Sequence, residues 1–223
     1  MGQCKYCNKK GLFLSLSEEG LCRECLAVVT LNVQERVRVI KSSAEVAEKS
    51  KNLKTKLSRA SLMREHLEEL LKYERMGIDT ITPPPSSLLA TLEKDRQKMV
   101  LETVEEQVGA ALAKAKLATT PKSSVTQASK ALLAIGEAEQ EVEGSATLAE
   151  LRKRVTDYIH ERTLSAHLDA AHKAEFKGQL KKALDAYQEA LYFLRTDDID
   201  DAKQGGQITD LEKKIEEIQT QIG

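Results

Sequence analysis

Tryptophan is absent from this 223-residue chain, aromatic residues make up 4% of it, and there are four prolines. Sheets favour aromatic and β-branched residues, so this scarcity argues against a β-rich core. Charge of one sign is also lacking: 34 Lys and Arg stand against 35 Asp and Glu. The chain as a whole therefore carries no signature for a polyanionic partner. No segment approaches the run of about 20 apolar residues that a membrane helix needs. The N-terminal MGQCKYCNKK has no apolar secretory core. Gly2 does not open a myristoylation motif, because Tyr6 stands where Ser or Thr is wanted. HExxH, GxSxG and phosphate-cradling glycine loops are missing as well. These absences set the expectation of a cytoplasmic, non-enzymatic protein without a membrane span. Charged residues, at 31%, and a 41% hydrophobic fraction suit long helices that each bury one stripe.

All four cysteines lie in CKYCNKKGLFLSLSEEGLCREC, residues 4–25, as two CxxC pairs. Cytosolic cysteines stay reduced, so paired CxxC units read as metal ligands rather than disulfides. Four thiolates suit one tetrahedral zinc ion and leave no open position for catalysis, which makes Cys4, Cys7, Cys22 and Cys25 candidate ligands of a structural Zn2+. Cys4 to Gly11 has the form of a metal knuckle. Leu12 to Ser17 predicts a short strand, and Ser17-Glu18-Glu19-Gly20 a turn into a second one. The second pair runs into Leu26-Ala27-Val28-Val29, which predicts a helix start, where thiol pKa values fall.

The order knuckle, hairpin, then CxxC opening a helix resembles a treble-clef zinc finger of the GATA and LIM type, over about residues 3 to 30. That resemblance implies zinc on the same four cysteines but no particular partner, because such fingers serve DNA, RNA and proteins alike. Leu26 to Leu31 is apolar where a DNA-reading helix would be basic.

Beyond the cysteines the chain reads as helices separated by breakers. Val33, Val37, Ile40, Ala44 and Ala47, then Leu53, Leu57, Ala60, Met63, Leu67 and Leu70, predict one long amphipathic helix to about Met76. Gly77 and Pro83-Pro84-Pro85 end it. Leu89 to Ala115 marks a second helix. Thr120-Pro121 predicts an N-cap opening a third, with Val125, Ala128, Leu132, Ile135 and Val142 as its stripe and Gly144 as its close. A fourth begins near Thr147, with Leu148, Leu151, Val155 and Ile159. The first two could pair as an antiparallel coiled-coil hairpin across the proline loop. Parallel homo-oligomerisation of the long helix is the alternative. The expected organisation is a zinc finger at 1–28, a helical hairpin at 29–118 with its loop at 77–86, a helical connector at 119–163 and a C-terminal helical domain at 164–223.

In that last domain Ala174, Gly178, Ala183, Tyr187 and Ala190 resemble the centre of a tetratricopeptide repeat, and equally a three-helix microtubule-interacting-and-transport domain. Leu180 stands where the repeat usually has an aromatic. The resemblance covers about residues 164–222 and implies protein binding. It also implies that small residues, Gly178 among them, let two helices cross closely. Ile208, Leu211, Ile215, Ile218 and Ile222 predict the closing helix.

Other candidates carry less. Asp157-x-x-His160 and Asp169-x-x-His172 have diiron-like spacing but face different directions on one helix, so His66, His160, His167 and His172 read as ordinary contacts. Asp197 to Asp201 lacks the glycine and terminal glutamate of a calcium loop. From Arg36 to Arg59 eight basic residues stand against Glu45 and Glu48. Lys49, Lys51, Lys54, Lys56 and Arg59 read as charges flanking an apolar seam. An anion-binding surface is the other reading, and with the zinc finger it makes a nucleic-acid-associated factor the alternative to a protein-binding adaptor or scaffold.

Overall fold

The computed structural model describes residues 2–197 and 201–222, and its architecture is mostly α. Two two-residue strands, β1 (Gly2–Gln3) and β2 (Lys10–Gly11), precede seven helices: α1 (Arg23–Lys49), α2 (Leu53–Arg75), α3 (Pro85–Leu117), α4 (Pro121–Glu141), α5 (Ala146–Phe176), α6 (Leu180–Thr196) and α7 (Asp201–Ile222). The chain divides into two compact units, Met1–Thr103 and Val104–Gly223.

In the first unit, the helix expected to run unbroken to Met76 is two helices. Ser50 is extended (ψ 135°), and Asn52 caps α2 by accepting a hydrogen bond from Thr55 N at 3.2 Å. The polar interval around Lys49–Asn52 supplies a turn, so α1 and α2 pack against each other as a hairpin. Folding back lets Val29 and Ser43 of α1, and Ala60, Leu67, Leu70 and Tyr73 of α2, leave solvent; a single extended helix would leave its stripe wet.

Gly77 ends α2 at φ 69°, a conformation glycine adopts without a Cβ penalty. Gly77 N donates to Glu74 O and Ile78 N to Tyr73 O, which closes a Schellman cap and turns Ile78 inward, 1% exposed. Pro85 is buried in the first position of α3 rather than in the loop, a place where its missing N–H costs nothing. The side chain of Glu74 accepts from Ser86 N and Oγ, and Arg64 pairs with Glu93 at 3.3 Å. Those two contacts run in opposite sequence order, so α2 and the start of α3 are antiparallel across the proline loop.

In the second unit α4 packs on α5, α5 on α6 and α6 on α7. Thr120 caps α4 through Ser123 N, with Pro121 in the first turn, and Ser145 caps α5 through Leu148 N. The buried face of α4 is Ser124, Ala128, Ala131, Ile135 and Ala138. It is shifted from the expected stripe, leaving Val125 and Leu132 half-buried. α5 continues without interruption through residues 163 and 164.

Ala171, Ala183 and Ala190 are fully buried, with Tyr187 and Leu194, against Leu211, Ile215 and Ile218 of α7. Gly178 does not serve the close helix crossing that the resemblance implies. A Cβ there would meet nothing within 4 Å, and the residue sits at φ 69° in the turn after α5. It donates to Glu175 O while Gln179 N donates to Ala174 O, so its role is to cap. The centre of the acidic stretch Asp197–Asp201 lies outside the described residues.

Candidate metal centre

The site is assembled by two turns of backbone. In the first, Cys4 N donates to Lys9 O at 3.0 Å and Asn8 N to Cys4 O at 2.9 Å, with Asn8 at φ 59°. β1 and β2 clamp this knuckle with Gly2 opposite Gly11 and Gln3 opposite Lys10. The ladder thus brackets the first CxxC. It does not lie over Leu12–Ser17, where a strand was expected; Leu12 and Phe13 form a turn, and only Leu16 bridges to Cys22. The expected turn does form: Gly20 N donates to Ser17 O and Ser17 N to Leu21 O. Cys22 then sits at the N-cap of α1 and Cys25 in its first turn.

These turns bring the four thiols together, with every sulfur within 4.8 Å of the others. Cys7 Sγ lies 3.9 Å from Cys22 Sγ. A tetrahedral metal–thiolate shell with bonds of about 2.3 Å needs sulfurs roughly 3.8 Å apart, so the spacing fits an ion at the centre. Cys4, Cys22 and Cys25 are buried and Cys7 is exposed; all four are free thiols.

The electrostatics also fit a cation. Burial opposes ionisation of Cys4, but N–H groups of Cys7, Cys22 and Tyr6 and the Cys7 thiol outweigh it, bringing the thiol down to about 6. Cys22 N points at Cys4 Sγ from 3.3 Å. Cys25 is pushed strongly upward, first by burial and then by the thiols of Cys22, Cys7 and Cys4. Ionisation is favoured at Cys4 and opposed at Cys25. A metal ion at the centre would favour the thiolate at all four cysteines.

The centre is not a self-contained bead. Cys4, Cys22 and Cys25 share a core with Leu21, Val29, Leu70, Tyr73 and Ile78. Lys5 Nζ donates to Gly77 O at 2.5 Å, and the Tyr6 ring lies 6.0 Å from that of Tyr73. None of these α2 partners is visible in the cysteine spacing. The one available signal was the Gly77-Ile78 pair, where an apolar residue after a capping glycine packs back on its helix.

Among the described residues, the cysteines are the one group placed to hold a metal ion. The histidines are dispersed: His160 contacts Asp197 at 2.7 Å, His167 contacts Glu189 at 3.4 Å, His66 lies 3.5 Å from Arg36, and His172 sits edge-on to Tyr187. Asp157 pairs with Lys153 instead. The basic segment spans the α1–α2 turn, so Lys49 ends one helix while Lys54, Lys56 and Arg59 begin the next. α1 has 27 residues, which at ~1.5 Å each puts that turn about 40 Å from Cys22. No helix among the described residues is long and apolar enough to cross a membrane. No protein family, curated protein or solved structure matches the chain.

Proposed function

We propose that Cys4, Cys7, Cys22 and Cys25 hold one structural zinc ion, and that the chain is a non-enzymatic cytoplasmic adaptor or scaffold whose helical surfaces bind other proteins. The observation that carries the metal reading is the convergence of four sulfurs within 4.8 Å, three of them buried. Four protein donors leave no position for a substrate, and an all-thiolate tetrahedron favours zinc. The module's fusion to the core of α1 and α2 supports a scaffold role, because metal binding there stiffens one end of the α1–α2 hairpin. Such sites contribute on the order of 10 kcal/mol to folding.

The nucleic-acid reading loses support from the geometry, since finger and basic segment stand at opposite ends of α1. Elemental analysis of the purified chain tests the metal, with one zinc per chain expected and its loss in Cys22→Ser. Four reactive thiols and no bound metal would overturn it. Affinity capture with the full chain tests the adaptor reading, with recovery of a stoichiometric protein partner expected. Retardation of mixed DNA or RNA in a gel, with no such protein recovered, would favour the alternative.

A further inference from the structure

Three of the four clustered thiols are shut away from solvent and one is not. Cys4, Cys22 and Cys25 are 0, 4 and 9% exposed, whereas Cys7 lies in an unbroken exposed run from Lys5 to Lys10. The knuckle builds this asymmetry. Cys4 N donates to Lys9 O and its carbonyl accepts from Asn8 N, so the first cysteine of the pair is folded under the turn and the second stays on its surface. A small diffusing oxidant therefore meets one sulfur of the cluster directly. Behind that sulfur stands a thiol from the other CxxC unit: Cys7 Sγ lies 3.9 Å from Sγ of Cys22, the N-cap residue of α1. Cys4 Sγ is engaged elsewhere, accepting from Cys22 N at 3.3 Å. An approach of about 2 Å brings Cys7 and Cys22 to disulfide bonding distance. An accessible thiol beside a second one that can resolve its sulfenic acid is the arrangement of a redox-responsive cysteine.

We propose that Cys7 is an oxidative modification site, converted by a hydroperoxide to a Cys7–Cys22 disulfide that empties the metal centre. The inference rests on the zinc reading above and assigns that site its regulation. The Cys7 thiolate attacks one peroxide oxygen, so that an S–O bond forms as the O–O bond breaks. The departing hydroxide or alkoxide takes a proton from solvent. The Cys22 thiolate then attacks the sulfenic sulfur, an S–S bond forms as S–O breaks, and the second hydroxide leaves and is protonated to water. Overall, two thiolates give two electrons to one peroxide. Cys4 and Cys25 are left as the only thiolate donors where a structural zinc takes four, and the ion departs. Cys22 shares its core with Leu70, Tyr73 and Ile78, so oxidation that begins at the exposed sulfur loosens the end of α2.

The sequence makes the product readable, because trypsin cuts after Lys5, Lys9, Lys10 and Arg23 and leaves each cysteine on its own peptide. The full chain, its zinc content measured beforehand, is titrated with hydrogen peroxide, its remaining thiols are blocked, and it is mapped without reduction. The Cys7 peptide YCNK is expected linked to the Cys22 peptide GLFLSLSEEGLCR, in step with release of zinc to an indicator dye. A dithiol and added zinc should reverse both changes. A 1,3-dione trap should capture the sulfenic acid on YCNK. Cys7→His keeps a nitrogen donor that zinc accepts and should hold its metal at peroxide doses that strip the wild-type chain completely. Should that variant bind no zinc, the wild-type peptide map decides alone. Zinc retained under peroxide, a Cys4–Cys7 or Cys22–Cys25 linkage in place of the expected one, or equal zinc loss from Cys7→His would each overturn the proposal and leave the metal reading standing. Absence of zinc before peroxide is added would sink the metal reading, and this inference with it.

Discussion

Lys5, inside the first CxxC, donates its ammonium to the carbonyl of Gly77, 72 residues further along the chain. The acceptor belongs to the glycine that caps α2, and the next residue, Ile78, is buried in the core shared with the cysteines. The cap of one helix is thus the dock of the cysteine module, and stability at either place depends on the other.

Gly77→Ala tests that dock. A Cβ at this position meets nothing closer than Lys5 Nζ at 3.9 Å, so the cost is conformational rather than steric, about 1–2 kcal/mol for a left-handed alanine. The melting temperature of the first unit should fall by several degrees. An unchanged melt would show that the cap does not hold the finger.

If the four cysteines hold the proposed zinc, its removal should disturb more than the cysteine module. With a strong chelator, or in Cys22→Ser, amide exchange should accelerate across residues 2–29 and also around Leu70–Ile78, because these share one core. Amides of α6 and α7 should keep their protection, since the second unit has its own core. Acceleration limited to the knuckle would mean that the shared core stands without the ion.

Asn52→Ala should destabilise the α1–α2 hairpin by about 1 kcal/mol through loss of the N-cap bond to Thr55 N. Chemical denaturation should show a lower midpoint and an unchanged slope. A gain in stability would mean that the two helices prefer to fuse.

Tyr187 offers a pH test in the second unit. Burial, and then its hydrogen bond and proximity to Glu175, push its phenol up to about 12, above the ordinary value near 10. Its folded-state pKa is raised, so the stabilisation is complete below about pH 10 and is lost as pH climbs through about 12. Ultraviolet titration should show one tyrosine ionising last. In Tyr187→Phe that late step should vanish, and the alkaline loss of stability should flatten between pH 10 and 12. Retention of the late step would assign it to another tyrosine.

Much of the helical body was legible because stripes and caps are local. Thr120-Pro121 marks the start of α4 wherever the helix packs, since an N-cap needs only its own first turn. The stripe Leu211, Ile215 and Ile218 likewise marks the buried face of α7. The break at Ser50–Asn52 left one local signal, the capping residue Asn52, and Lys49 to Lys54 has no proline or glycine to force it. What decides it is the apolar surface of α1 and α2, buried only when the chain reverses. Gly178 caps rather than packs for a different reason: a small residue does one or the other according to its backbone dihedrals, which composition does not reveal. In the finger, the Ser17–Gly20 turn was legible from its turn residues. The strands were misplaced because two residue pairs beside the knuckle form the ladder, too few to leave a periodic pattern.

By itself the sequence determined the donor set. Thiol chemistry depends on residue type and short spacing, and two CxxC units carry both within 22 residues. Only the tertiary structure decided what the donors are joined to. It set Lys5 on Gly77, closed Leu70, Tyr73 and Ile78 over the site, and left Phe13 in water. Those outcomes rest on which surfaces meet across some 70 residues of chain, and burial is a property of that meeting rather than of any local pattern.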